Sequence, residues 1–355
     1  MRTASASHRF GQSDLGHPIN SGDCIMLAHS QEEAQMKTLQ RLHPIFCLVG
    51  LLLMSGLANA QPPAQNGDGN SRSRGPGKPV TIPLTIRTGS DRELPELQSI
   101  DLTVSEDGEP QQILSIRGVT NSPITLAVLI QDDLVPSVAN EIKPLAAFIR
   151  SLPKNSRVMI GYLRTGSLQV KQKFTSDVER AANSLRPPSG FASVGPYNPY
   201  VEVVEALRKF DAQPLGRRAI LLVSDGLDIS RGVDSSGPTQ SVDLQRAVNE
   251  SQRRGVAIYG FYSPTFASAA NRSLAGNAQS SLLRLSNETG GMAFFQGTGA
   301  PVSFEPFIRE LDVSLQKQAA LTFLSTHLNK GFHKIEVKSA TPGVRIAAPS
   351  GYVRK

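Results

Sequence analysis

Apolar and polar positions follow two different rhythms along this chain. From Val80 to Arg87 they alternate, with Val80, Ile82, Leu84 and Ile86 on one face, which predicts a strand. Ile100–Val104 and Gln112–Arg117 read the same way around the turn Glu106-Asp-Gly-Glu-Pro110. The rhythm then changes. Ile124–Ile130 and Arg218–Val223 are continuous apolar runs, as expected of strands buried on both faces of a parallel sheet. Arg157–Leu163, Val256–Tyr262 and Met292–Phe295 are further strands, and Leu168–Phe174 is an antiparallel edge strand. Helical spacing marks 138–152, 177–185 with Ser176 as N-cap, 201–210, 242–254 closed by Gly255, 279–289 and 304–318. After 320 the alternation returns in Ala320–Ser325, Gly331–Lys338 and Val344–Ala347. Strands alternating with helices over 121–319 predict a doubly wound, mostly parallel α/β sheet. The segments 79–120 and 320–355 predict a small flanking β unit built from both chain ends.

The most apolar window, Ile45–Leu57, is too short for a membrane-spanning helix, which needs about 20 residues. Lys37 and Arg41 precede it and Ala58-Asn-Ala60 follows, the order of a secretory signal peptide cleaved after Ala60. A leader of ordinary length would start at Met36, so 36–60 is read as signal peptide and 1–35 as a mis-assigned start. The competing reading is an uncleaved anchor. Gln61–Lys78, rich in Pro, Gly, Asn and Ser, reads as a linker. Localisation is then secreted or periplasmic, with membrane contact only during export.

The leader changes what composition says. Both cysteines of the 355-residue chain, Cys24 and Cys47, precede the cut, so the exported part would carry no disulfide. Residues 1–60 hold four basic and four acidic side chains, so the net charge of +7 belongs to the remainder. Of six histidines only His327 and His333 remain, both placed at the surface of strands or turns; histidine chemistry is thinly supplied.

The carboxyl ends of buried strands are where such sheets carry function. Two of them end in acids: Gln131-Asp132-Asp133 after the first apolar run and Ser224-Asp225-Gly226-Leu-Asp228 after the second. Oxygen donors of this kind suit hard cations such as Mg²⁺. The region resembles a von Willebrand factor type A domain. There, one strand ends in D-x-S-x-S, a central loop supplies a Thr before a helix, and a later strand ends in Asp-Gly. Ala219-Ile-Leu-Leu-Val-Ser-Asp225-Gly226 matches the last piece. With Asp133 first, the serines become Val135 and Ser137; with Asp132 first, they become Leu134 and Pro136. Asn198, in Tyr197-Asn-Pro-Tyr-Val-Glu-Val-Val-Glu-Ala-Leu207, takes the Thr position, and Ser193 is a second candidate.

The lead-in Ile100–Ile113 looks like the F-x-V-x-E-D-G-x-x-Q-x-I segment of bacterial, especially acidobacterial, secreted proteins with a related domain. The tail from Gly331 to Tyr352 looks like their closing strands.

The resemblance implies an exported, non-enzymatic adhesion-type binding protein with a degenerate metal-ion-dependent adhesion site. Its donors would be Asp132, Asp133, Ser137, Asn198 and Asp225, with Ser193 and Asp228 weaker. The ion would be Mg²⁺, Mn²⁺ or Ca²⁺, or none, and the partner a protein that offers an acidic side chain. Plainer readings stand beside it. Asn198-Pro199 is a helix cap. Asp225-Gly226 is a turn. Asp132 and Asp133 cap the helix near Val138 or are solvated, as Asp228 is. The alternative function is a metal-free interaction module of the cell envelope that uses the loops Arg186–Tyr200 and Thr265–Gln279.

Enzyme chemistry finds no support. Ser151-Leu-Pro-Lys154 spells S-x-x-K, but Pro153 stands between the two at a helix end. Arg217-Arg218 and Arg253-Arg254 are short basic pairs on different elements without interleaved aromatics, which argues against nucleic acid. Anionic glycans or surfaces remain as electrostatic partners.

Overall fold

The computed structural model describes residues 77–88, 101–118 and 122–355. The leader, the start at Met36 and nearly all of the linker lie outside the described residues. Every described residue falls in one compact unit, Asn70–Lys355.

Two sheets organise it. The first is six-stranded: β4 (Thr125–Gln131), β5 (Arg157–Arg164), β6 (Ser167–Thr175), β7 (Arg218–Ser224), β8 (Ala257–Tyr262) and β9 (Ala293–Phe294), in the order β6-β5-β4-β7-β8-β9. All pairings are parallel except that of β6, the antiparallel edge strand. β4 and β7 are buried at every position. Successive side chains of a strand point to opposite faces, so β4 feeds two cores. Leu126, Val128 and Ile130 join one, Ala127 and Leu129 the other. The first core is covered by α1 (Ile142–Ser151), α2 (Val178–Asn183) and α7 (Glu305–Gln316). The second is covered by α3 (Pro199–Arg208), α4 (Val242–Arg254) and α6 (Arg272–Thr289). This is a doubly wound, mostly parallel α/β fold.

The second sheet is seven-stranded. It holds β1 (Lys78–Thr88), β2 (Leu102–Glu106), β3 (Glu109–Arg117), β10 (Gln318–Ser325), β11 (Gly331–Ser339), β12 (Val344–Ala347) and β13 (Gly351–Arg354). Their order is β12-β1-β10-β3-β2-β11-β13. Strands from both chain ends therefore interleave, with β1 against β10 and β2 against β11. Each strand sends side chains into one cluster around Leu84, Phe323 and Tyr352. β11 and β12 touch although four strands separate them in the order, so the sheet curls around that cluster.

The two sheets dock tightly. Gly255 ends α4 at φ +60°, and a Cβ there would lie 2.7 Å from the Thr81 carbonyl oxygen of β1. Only glycine meets both conditions. Arg217 donates to the carbonyls of Ser122 and Leu315, and the Tyr259 hydroxyl lies 3.3 Å from that of Thr85.

Several local expectations change. The helix expected over 138–152 is a 3-10 turn, Pro136–Glu141, followed by α1. Pro144 lacks an N–H, which a helix tolerates only in its first turn, so α1 starts just before it. Asp177, not Ser176, caps α2, its Oδ1 accepting from Arg180 N at 2.9 Å. The stretch expected as a loop over 265–279 is mostly helical, with α5 (Phe266–Ala270) and a long α6 capped by Asn271. Its buried residues include Ala275 and Ala278, too small to stand out as an apolar stripe. β13 has only four residues and no periodicity to read.

Candidate functional site

The carboxyl ends of β4, β5, β7 and β8 form one edge. β4 leaves the sheet at Gln131, whose side chain clips the neighbouring turns together. Its Nε2 donates to Asp133 Oδ1 at 2.9 Å, and its Oε1 accepts from the Ser224 hydroxyl and from Asp225 N.

Asp132 has no exposed surface. Both its oxygens are taken by Arg186, at 2.7 and 2.8 Å, Ser189 N donates at 3.0 Å, and Arg164 stands at 3.2 Å. A bidentate guanidinium is the strongest side-chain partner a carboxylate finds in a protein. Burial works against the Asp132 charge, but the bonds from Arg186 and Ser189 outweigh it and hold the carboxyl below its ordinary range. Arg186 also lies over the Tyr162 ring at 4.0 Å. Asp132 is thus neither a helix cap nor solvated.

Asp133 is half-buried and accepts from Gln131. Burial first, then the charges of Asp225 and Asp132, push its carboxyl up to about 6, against the bond from Gln131. Gly195 packs against it so closely that a Cβ there would fall 2.1 Å from the Asp133 carboxyl carbon. Asp225 is buried, with Oδ2 accepting from the Thr265 hydroxyl at 2.8 Å and Oδ1 from Leu227 N at 3.1 Å. Burial raises its carboxyl despite these bonds. Gly226 turns the chain at φ +70°.

Asn198 caps α3. Its Oδ1 accepts from Tyr200 N at 3.0 Å, and its Nδ2 donates to Asp243 at 2.8 Å. The Tyr200 hydroxyl reaches the Gly226 carbonyl, so this cap is tied to the Asp225 turn. Asp228 is buried rather than solvated, bonded to Ser230 and Ser241. Ser137 and Ser193 are exposed on 3-10 turns. The Ser151 hydroxyl donates to the Phe148 carbonyl at 2.8 Å, at the end of α1.

The donor set does not fit a metal-ion-dependent adhesion site. Asp132 is neutralised by arginine, Val135 and Pro136 carry no side-chain oxygen, and the Asn198 side chain is engaged at both ends. Among the described residues no group of three or more His, Cys, Asp and Glu side chains is arranged to hold a metal ion.

Sequence reasoning missed Gln131, Arg164, Arg186 and Thr265. Arginines at a predicted strand end and helix end carry no local signal; only the packing brings them to one carboxylate. What the edge does expose is aromatic. Phe191 is 69% exposed, Tyr197 66% and Phe266 60%. Gly190 N bonds to the Asp132 carbonyl and Leu134 pairs with Thr265, so the segments bearing Phe191 and Phe266 flank Leu134.

No family model and no curated protein matches the chain. Solved structures are similar to part of the chain at a low level. An aerotolerance-related membrane protein from Bacteroides fragilis is 15% identical, with TM-score 0.37, over 55% of this chain and 100% of that one. The hypothetical protein BatB from Bacteroides thetaiotaomicron is 13% identical, with TM-score 0.39, over 55% and 100%. The SpRpn10 VWA domain is 11% identical, with TM-score 0.36, over 54% and 97%. Among the described residues no helix is long and apolar enough to cross a membrane.

Proposed function

We propose that this chain is an exported, non-enzymatic binding module that takes a protein ligand on the carboxyl edge of the six-stranded sheet without a coordinated cation. The observation that carries the reading is Asp132. Where the resemblance expects a ligand to a metal, this carboxylate is buried under two arginines. Phe191, Tyr197 and Phe266 supply the apolar contact. Aromatic side chains are enriched in protein interfaces and dominate their energetics. Arg164 and Arg186 are each about one-third exposed, so an acidic side chain of the ligand would meet guanidinium groups there instead of a metal. Export through the leader ending at Ala60 belongs to the same proposal.

The test is a pull-down from the organism's own cell envelope with the chain as bait, followed by calorimetry on the captured partner. Capture should persist in EDTA and fail for Phe191→Ala/Phe266→Ala. Direct titration with Mg²⁺, Mn²⁺ or Ca²⁺ should release no heat. Capture that requires Mg²⁺ and disappears in Asp225→Ala would replace this reading with a metal-dependent one. Equal capture by the aromatic double variant would remove the edge from the interface.

A further inference from the structure

Arg218 and the pair Arg253-Arg254, far apart in the sequence, meet at the opposite, amino edge of the six-stranded sheet. Between the start of β1, the end of α4 and β13 lies a cleft of about 560 Å³, within the usual range of small-ligand sites. Lys78, Arg218, Arg253, Arg254 and Arg354 line it, and Asp211 is the only acid among its lining residues. Glu250, just behind, pairs with Arg253 and Arg254, and Arg254 also takes both oxygens of Asp211. Those two carboxylates are thus spent on two of the five cations.

Arg218 is the sharpest sign of the imbalance. Its guanidinium is buried and, among the described residues, hydrogen-bonds to the carbonyls of Gln213, Pro214 and Arg254. Burial lowers its pKa, the charge of Asp211 opposes that shift, and the neighbouring charge of Arg254 adds to it. Arg354 is anchored by Nη2 to the Ser325 and Tyr352 hydroxyls, while its buried Nε has no partner. Glu106 accepts from those same hydroxyls one layer further in, where it already faces His327 and His333. The Lys78 ammonium makes no ion pair or hydrogen bond among the described residues. A buried cation with no carboxylate in direct contact is costly, and a bound anion would offset that cost.

We propose that this cleft binds a ligand carrying oxyanions, a phosphate ester or a carboxylate-bearing sugar, through Lys78, Arg253 and Arg354, in the field of Arg218 and Arg254. Guanidinium groups match the geometry of both oxyanions. The site lies at the other edge from the aromatic surface and does not depend on it.

The test is calorimetry and thermal unfolding of the full chain with inorganic phosphate and with glucuronate, at low and at physiological salt. At least one should bind, raise the melting temperature and weaken as salt screens the site. Lys78→Ala/Arg253→Gln removes rim charges and leaves the buried arginines in place, so folding should survive. Its affinity should fall about tenfold or more, a loss of about 1.4 kcal/mol. Binding of phosphate alone assigns a phosphate ester, and of glucuronate alone a carboxylate sugar. No binding of either, or equal binding by the double variant, overturns the proposal.

Discussion

Two carboxylates among the described residues have no exposed surface, and they are treated in opposite ways. Asp132, at the carboxyl edge of the six-stranded sheet, is clamped by the permanent cation of Arg186, with Arg164 beside it. Glu106, inside the curled sheet, faces two imidazole rings. Its Oε2 lies 3.2 Å from His327 Nδ1, and its Oε1 accepts from Ser325 and Tyr352 and lies 3.7 Å from His333 Nδ1. The sequence pattern places both histidines at the surface. Instead His333 is buried and stacks on Tyr352, because β11 and β13 pair and turn it inward. A guanidinium stays charged at any pH a protein survives, whereas imidazole titrates near neutrality. The first region is therefore a fixed structural clasp and the second a pH-responsive one.

The largest effect should come from breaking the fixed clasp. Arg186→Ala leaves Asp132 buried with a single, longer ion pair. The expected loss is about 3 kcal/mol, the low end for a buried pair with one partner removed, read from urea unfolding. Adding Asp132→Asn should recover part of it, since the uncompensated charge is then gone. Additive losses would show that the two residues are not coupled.

Next is Asp133, beside the clasp but outside it. Its carboxyl is raised to about 6, so the folded state binds this proton more tightly than the unfolded chain. The associated stability is fully present below the unfolded value near 4 and is lost as pH rises through about 6. Asp133→Asn should therefore be more stable than the parent at pH 8, by on the order of 1–2 kcal/mol after allowing for partial exposure. It should show little difference at pH 4. A parent whose stability does not change between pH 5 and 7 would contradict this.

The smallest effect belongs to the responsive region. Burial works against a charged His333, but the bonds to the Asn329 carbonyl and Asp107, and the charges of Asp107 and Glu106, outweigh it and raise the ring's pKa. Its contribution is present below about 6.5 and is lost as pH rises through the higher folded value. Asp107 is held below its ordinary range, burial being outweighed by His333 and by Lys334 N, so its contribution fails only as pH falls through that lowered value. Asp107 is 38% exposed, so the pair should contribute less than about 1 kcal/mol. His333→Gln should flatten the stability profile between pH 6 and 8 and leave the aromatic edge's ligand binding unchanged. A profile as steep as the parent's would place the titration elsewhere.

The strands and helices of the α/β unit were legible because burial on two faces writes continuous apolar runs, as in Thr125–Gln131 and Arg218–Ser224. The N-cap at Asn198 and the turn at Gly226 were legible because each needs only its own neighbours. α5 and the first turns of α6 were not, because small residues bury without leaving a hydrophobic stripe. The acids at the ends of β4 and β7 were legible by position, but the partners of Asp132 were not. Arg186 is 54 residues from Asp132, and no local pattern joins them.

The sequence by itself determined the layered α/β architecture, the acids at the ends of β4 and β7, and a β unit shared by both chain ends. These follow from periodicity and turn chemistry, which act over a few residues. Only the tertiary structure decided which charges meet. It put two arginines on Asp132, turned His333 toward Glu106, and gathered Lys78, Arg218, Arg253 and Arg354 into one cleft. Charge pairing depends on distance in space, and the strand order that sets those distances is written nowhere along the chain.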